Sequence, residues 1–226
     1  MIRMIRHGRG KRVSGDVKRQ QEWMLPSLRH IGLISTNILL SLFYLAFAFA
    51  NAQSFIAEPR LSVFLIVLME TIAAIFLIIR RDPDETRHTW QTWTTTTFGT
   101  LAPTLFRPTG ATADLIFGDI LQVGGFTLQV IALLYLSRSF GLLPAYRGIK
   151  SSGLYGWVRH PLYTAYVISF IGYWINNQSF ANAAVAIFGA AFLVMRIYCE
   201  EALLLKYADY RRYARRTRWR LVPAIW

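Results

Sequence analysis

The chain has 226 residues, 54% of them hydrophobic and only 16% charged, with a mean hydropathy of +0.33 and a formal net charge of +13. Soluble domains carry about 25% charged residues, so this composition excludes an ordinary soluble domain and points to a single-domain polytopic membrane protein. The basic excess sits beside apolar runs, which argues against nucleic acid as a partner. The lone Cys199 excludes an intrachain disulfide and a multi-cysteine metal site, and His7, His30, His88 and His160 show no helical pairing suited to zinc.

Residues 1–30 contain eight of the 25 Lys and Arg, among them RHGRGKR at 6–12. That stretch lacks the Walker pattern and is expected to be a flexible cytoplasmic tail drawn to anionic headgroups. AFAFANAQ (46–53) resembles a small-residue cleavage site, but the basic leader is long and the apolar run behind it is of spanning length. Residues 31–50 are therefore read as a retained first helix.

Further apolar runs fall at 61–79, 115–136, 162–175 and 181–199, the last two separated by INNQSF (175–180) as a tight helical hairpin. The NQS sequon at 177–179 lies in that short loop and is discounted. Glu70 stands midway along the second run; it is expected to hydrogen-bond the threonine-rich segment 90–106. That segment, with four consecutive threonines, a glycine and a proline, is a weak span by hydropathy alone. Charge decides in its favour: Lys and Arg number three in 80–88, four in 137–159 and eight in 196–226, while Arg60 and Arg107 stand alone between runs. If 90–106 crosses, basic and non-basic segments alternate as the positive-inside rule requires. The expected fold is all-α and integral to the membrane, with six transmembrane helices (five if 90–106 does not cross), a C-terminal helical hairpin and a cytoplasmic C-terminal helix. Both termini are cytoplasmic. The expected organisation is a basic tail at 1–30, transmembrane helices over 31–136 and a polar-rich C-terminal region over 137–226.

Three constellations in that last region carry chemistry. GLYGWVRHPLY (153–163) places Arg159, His160 and Pro161 where a new apolar run begins. Proline suits a first helical turn and biases the preceding His160 towards extended backbone, leaving Arg159 and His160 at a helix mouth that attracts anions. In MRIYCEEALL (195–204), Arg196 and Glu200 are four apart and share a helix face, while Glu201 lies on another. Charges this close to an apolar span are costly unless paired or lining a polar cavity. In KYADYRRYARRTRWRLVP (206–223), tyrosines recur every three residues among arginines, the pattern of an amphipathic interfacial helix.

Together with LSRSFGLLPAYRGI (136–149), these motifs resemble the C-terminal signature of the isoprenylcysteine carboxyl methyltransferase family and the related membrane phospholipid methyltransferases. The resemblance covers about 136–226. It implies an integral-membrane methyltransferase using S-adenosylmethionine without a Rossmann domain, in keeping with the absence of a glycine-rich dinucleotide fingerprint. It implies a cofactor pocket of Arg159, His160, Pro161, Tyr163, Glu200 and Glu201, with Arg196 and Glu200 as catalytic residues and no metal. The partners it implies are membrane lipids and a lipophilic or lipidated acceptor, foremost a carboxylate as in isoprenylcysteine O-methylation, oriented by Arg196. It favours a bacterial inner membrane over the endoplasmic reticulum. Ala165 departs from the glycine many members carry and would narrow a close backbone approach. Competing readings are an NADPH-dependent sterol-type reductase, which tends to carry asparagine after the histidine, and a transporter or scaffold using Glu70 and the charges at 195–201 as a path.

Overall fold

The computed structural model describes residues 10–109 and 115–226, with side chains from residue 32 onward. Seven helices carry the described chain: α1 (Gly10–Ala57), α2 (Leu61–Ile79), α3 (Trp90–Leu101), α4 (Ile116–Leu136), α5 (Pro161–Asn176), α6 (Phe180–Leu204) and α7 (Ala208–Arg216). The only described sheet pairs two two-residue strands, β1 (Glu85–Thr86) and β2 (Ala145–Tyr146), antiparallel. Residues 10–30, expected within a flexible tail, are helical and run on into the first apolar segment. Residues 1–9, with the start of RHGRGKR, lie outside the described residues.

Among the described residues four helices are long and apolar enough to cross a membrane: 32–57 of α1, α2, α4 with its following turn (116–139), and α6. Their outward faces carry Leu39, Phe49, Ile78, Ile116, Phe180 and Ile187, all exposed. Such a surface is unfavourable in water and ordinary in hydrocarbon. At 1.5 Å per residue the 16 residues of α5 reach about 24 Å and the 12 of α3 about 18 Å, short of a hydrocarbon core about 30 Å thick.

The two basic segments 80–88 and 137–150 nevertheless meet at one end of the bundle. The Arg81 amide donates to the Arg138 carbonyl at 2.8 Å, and Glu85 faces Tyr146 across the strand pair. Between them the chain must leave and return, so α3 and α4 form an outward and an inward limb. This is the relation the charge pattern required of 90–106. The α3 threonines are satisfied as expected: Thr94 and Thr95 bond back to carbonyls of Trp90 and Gln91, and Thr96 reaches the Leu142 carbonyl. A reciprocal Thr89–Thr92 capping box starts the helix.

Helix packing runs α1 on α2, α2 on α4, α4 on α5 and α3 on α6. Small residues permit it: Ala73 and Ala74 of α2 and Ala132 of α4 are buried where those helices join one core with Leu77, Leu133 and Phe140. Between α4 and α5 the backbones approach through glycine. A Cβ at Gly172 would sit 2.6 Å from the Gln122 amide nitrogen, and one at Gly125 would sit 2.7 Å from that of Ser169. Ala165 is fully buried against this seam. At the opposite end Asn182 joins α6 to Arg107, and Ser179 caps α6.

Gly172→Ala should lower stability by about 1–3 kcal/mol through overpacking, read as an earlier melting transition of the detergent-solubilised protein. Gly124→Ala, where an added methyl meets nothing within 4 Å, should leave the transition in place.

Candidate functional site

The site is built around a carboxylate. Glu201, on the last turns of α6, is only 3% exposed. A charge so placed is tolerated only with close partners, and it has four. Arg159 Nη1 lies 2.7 Å from Oε1, Arg220 Nε lies 2.8 Å from Oε2, and the His160 ring and the Tyr210 hydroxyl each lie 3.3 Å from Oε1. Those partners come from the start of α5, from α7 and from the segment after it. Backbone bonds add to the same junction: Arg159 and His160 donate to the carbonyls of Trp219 and Arg220 at 2.8 and 2.9 Å, and Thr164 Oγ1 donates to Leu221 at 2.8 Å.

Pro161 is the first residue of α5, as expected, and His160 caps it with φ −129° and ψ 58°, short of the extended backbone foreseen. In the preceding turn Gly153 has φ +58°, and the ring of Tyr135 occupies the place of a Cβ. A side chain there would be strained and would clash.

One residue along α6 the geometry turns by about 100°, and Glu200 faces the other way. It accepts a short hydrogen bond from the Tyr163 hydroxyl and another from Arg196 Nε at 3.2 Å, with His160 Nδ1 at 3.7 Å. The i,i+4 pair read from sequence is therefore present. Arg196 also donates to the Leu142 carbonyl at 2.5 Å and to Thr100 Oγ1 at 3.5 Å, and its guanidinium lies 5.3 Å from the Tyr163 ring centroid. The imidazole of His160 thus stands between both glutamates, parallel to the Tyr163 ring.

These groups open onto a cleft of ≈ 130 Å³ at the basic end of the bundle. Of the sequence-predicted residues, Arg159, His160, Tyr163, Arg196 and Glu200 line it. Pro161 and Glu201 do not; they hold the wall in place. Ala165 is buried and absent from the lining, so it does not narrow the cleft. Sequence reasoning missed Tyr155, Tyr210, Tyr213 and Arg147, all lining residues. The signal for two of them was the three-residue tyrosine spacing, read only as interfacial amphipathicity. In fact Tyr210 and Tyr213 turn inward while Arg211, Arg212, Arg215 and Arg216 stay exposed.

The wall facing α5 is segment 139–150, strapped down by β1–β2, by Tyr146 donating to Asp209 at 2.5 Å and by stacking of Tyr146 on Tyr207 at 3.7 Å. Lys206 and Glu85 pair at 2.5 Å beside it. Burial pushes the hydroxyl pKa values of Tyr155, Tyr210 and Tyr213 up, with negative charge on Glu200 or Glu201 adding to the effect, so all three remain hydrogen-bond donors. Tyr213 donates to the Tyr155 carbonyl at 2.7 Å. Burial, with Arg80 nearby, lowers Arg147 to about 10, and it stays cationic at neutral pH.

A second cavity of ≈ 470 Å³ lies deeper in the bundle, walled by all six longer helices. Its lining is mostly apolar and aromatic, with Glu70, Arg196, Asn51, Gln129, Ser169, Thr100 and Thr104 as polar exceptions. Phe140, Leu162, Tyr163 and Arg196 line both cavities, so one thin partition separates them. Glu70 does not bond to the threonine-rich helix: its partner is Asn51 of α1, at 3.1 and 3.3 Å. The α1–α2 pairing presents the midpoint of α2 to α1, and the α3 threonines are already satisfied by carbonyls.

Residues 113–209 match the sequence model of phospholipid methyltransferases. The resemblance read from the motifs is borne out over that segment, which takes in α4 and stops one residue before Tyr210. A comparison with curated proteins returned no match.

Glu201→Gln should destabilise the protein by about 3–5 kcal/mol, because Arg159 and Arg220 would keep their charge beside a neutral amide. Glu200→Gln, at a residue 18% exposed with one cationic partner, should cost less than half of that. Denaturant titration of the two purified variants, followed by helical signal, checks the order.

Proposed function

We propose, from the match to phospholipid methyltransferases and the geometry of the two cavities, that this chain is an integral-membrane methyltransferase using S-adenosylmethionine. The observation that carries the reading is the shared partition: a polar cleft at the basic end abuts an apolar chamber inside the bundle, with Tyr163 and Arg196 between them. Methyl transfer to a lipophilic acceptor needs two such compartments, one for a polar donor from the aqueous side and one for an apolar partner from the bilayer. α1 and α3 both line the chamber without packing extensively on each other, which leaves a lateral way in.

The residues of the cleft suit the cofactor. Arg159 Nε is buried with no partner among the described residues, an unused donor beside Arg147 and Lys150 that suits a carboxylate. Glu200 suits an ammonium or ribose hydroxyls. The rings of Tyr155, Tyr163, Tyr210 and Tyr213 suit a sulfonium, each contact contributing about 0.5–2 kcal/mol according to desolvation. S-adenosylmethionine supplies an already activated methyl group, so the protein's work is alignment and exclusion of water, an effect that reaches about 7–11 kcal/mol in well-oriented reactions. Arg196 fixes Glu200 and, through it, the Tyr163 hydroxyl; His160 fixes the same carboxylate from the other side. Glu201 positions the arginine and histidine and touches nothing in the cleft. At 130 Å³ the cleft is smaller than the roughly 300–1,000 Å³ usual for small-molecule sites, and the strapped segment 139–150 is the wall whose displacement would enlarge it.

In this reading 137–226 forms the cofactor-binding region, the helices before it shape the acceptor chamber, and α3 and α5 complete six crossings with both termini cytoplasmic. The basic residues gathered at the cleft end favour that orientation, and a bacterial inner membrane is the proposed host.

Calorimetry on the detergent-purified protein should show S-adenosylmethionine binding; no heat at millimolar cofactor from a folded sample overturns the proposal. With radiolabelled cofactor and membranes, label should pass into the lipid-extractable fraction. Glu200→Gln and His160→Ala should each reduce that transfer at least a hundredfold while the protein still inserts.

A further inference from the structure

The chamber has a chemistry of its own, and two of the residues that set it, Glu70 and Asn51, lie outside the segment matched to methyltransferases. Only two of its lining residues are charged, Glu70 and Arg196. Arg196 is already neutralised: Glu200 takes its charge, and the Leu142 carbonyl and Thr100 hydroxyl engage two further donors. Among the described residues Glu70 has no cationic partner. Asn51 Nδ2 is its sole hydrogen-bond donor among the described residues, and that nitrogen also donates to the Phe47 carbonyl at 3.1 Å. An amide nitrogen carries two hydrogens, so one N–H remains for both carboxylate oxygens. Across the cavity Gln129, fully buried, gives its amide nitrogen to Ser169 and leaves Oε1 with no partner. The chamber therefore offers unfilled acceptors and a carboxylate without a counter-charge, in surroundings where both are costly.

We infer that this chamber binds a lipophilic amine, its ammonium held by Glu70, and that Glu70 is a specificity-determining residue for the acceptor. The inference rests on the methyltransferase reading only for the role of the occupant, not for its chemistry. An ammonium supplies up to three donors and the missing positive charge; the apolar walls of Phe43, Phe47, Ile66 and Phe126 receive its chain. A carboxylate head, which the sequence resemblance favours, would face Glu70 with like charge and find Arg196 paired. A phospholipid headgroup would bring a phosphate into a cavity whose lining holds no unpaired cation. The occupant is thus free of phosphate and carboxylate.

The test uses the full chain in phosphatidylcholine nanodiscs without cofactor, with dodecylamine and dodecanoate as probes and native mass spectrometry to count what stays bound. Wild type should retain dodecylamine about ten-fold or more over dodecanoate, the scale of one hydrogen bond to a charged group. Glu70→Gln should remove that preference, and Ile66→Trp, which fills the cavity one helical turn from Glu70, should remove binding of both probes. Equal retention of the two probes by wild type overturns the inference, as does an unchanged preference in Glu70→Gln or unchanged binding in Ile66→Trp. Cofactor calorimetry on the same three proteins separates the two readings. Wild type that prefers the amine yet binds no S-adenosylmethionine supports the chamber assignment and removes the methyltransferase one; unaltered cofactor heat in both variants shows that they are folded.

Discussion

A buried carboxylate cannot be left alone, and the C-terminal half of this protein is organised by that constraint. Glu201 draws two arginines, a histidine and a tyrosine from three separate stretches of chain into one ion cluster. Removing its charge would strand its partners at a cost of several kcal/mol, so this ion cluster, beside an apolar one of Tyr163, Ile197 and Leu221, fixes the junction of α5, α6, α7 and the final segment. The α5 and α7 residues that line the cleft inherit their position from that junction. Glu200 is the neighbouring residue, and the helical twist alone aims it at the cleft once Glu201 is anchored behind it.

The same logic of satisfied polar groups separates the two cavities. Arg196 sits deep on an apolar helix, where an unpaired guanidinium would be expensive. Glu200, the Leu142 carbonyl and Thr100 engage it from three elements, α6, the 139–150 segment and α3. The polar side of the partition between cleft and chamber, Arg196 and Tyr163, is thus stiffened by hydrogen bonds to several elements. In the proposed chemistry this rigidity matters, since an activated methyl needs alignment and a dry path more than it needs a strong base or acid.

Much of the fold was legible because hydropathy and charge act locally. The apolar runs became α1, α2, α4, α5 and α6, and the hairpin at 175–180 lies where expected. The charge pattern required 80–88 and 137–159 to share an end, and the β1–β2 pairing brings them together, although α3 is too short and too polar to be found by hydropathy. Three features escaped. The helical extension of α1 through 10–30 is masked by its charge, the two-residue strands are too short for any periodicity to register, and Tyr155 and Arg147 sit in irregular segments whose direction no repeat encodes. Glu70 was conspicuous as a charge in an apolar run, but its partner was not: which helix meets α2 at mid-length depends on packing, and packing chose α1.

The sequence by itself determined a membrane-embedded helical protein, the meeting of its basic segments at one end and the residue types of the polar cleft, Arg196 with Glu200 included, because hydropathy, charge and the 3.6-residue spacing are properties of the chain alone. Only the tertiary structure decided that adjacent glutamates do opposite jobs, that the tyrosines of α7 face inward, and that Arg196 is paired within the partition between cleft and chamber while Glu70 stands uncompensated in the chamber. Those assignments turn on which group fills the last valence of a buried charge, and the partners that do so lie as far apart in the chain as Arg159 and Glu201, or Thr100 and Arg196.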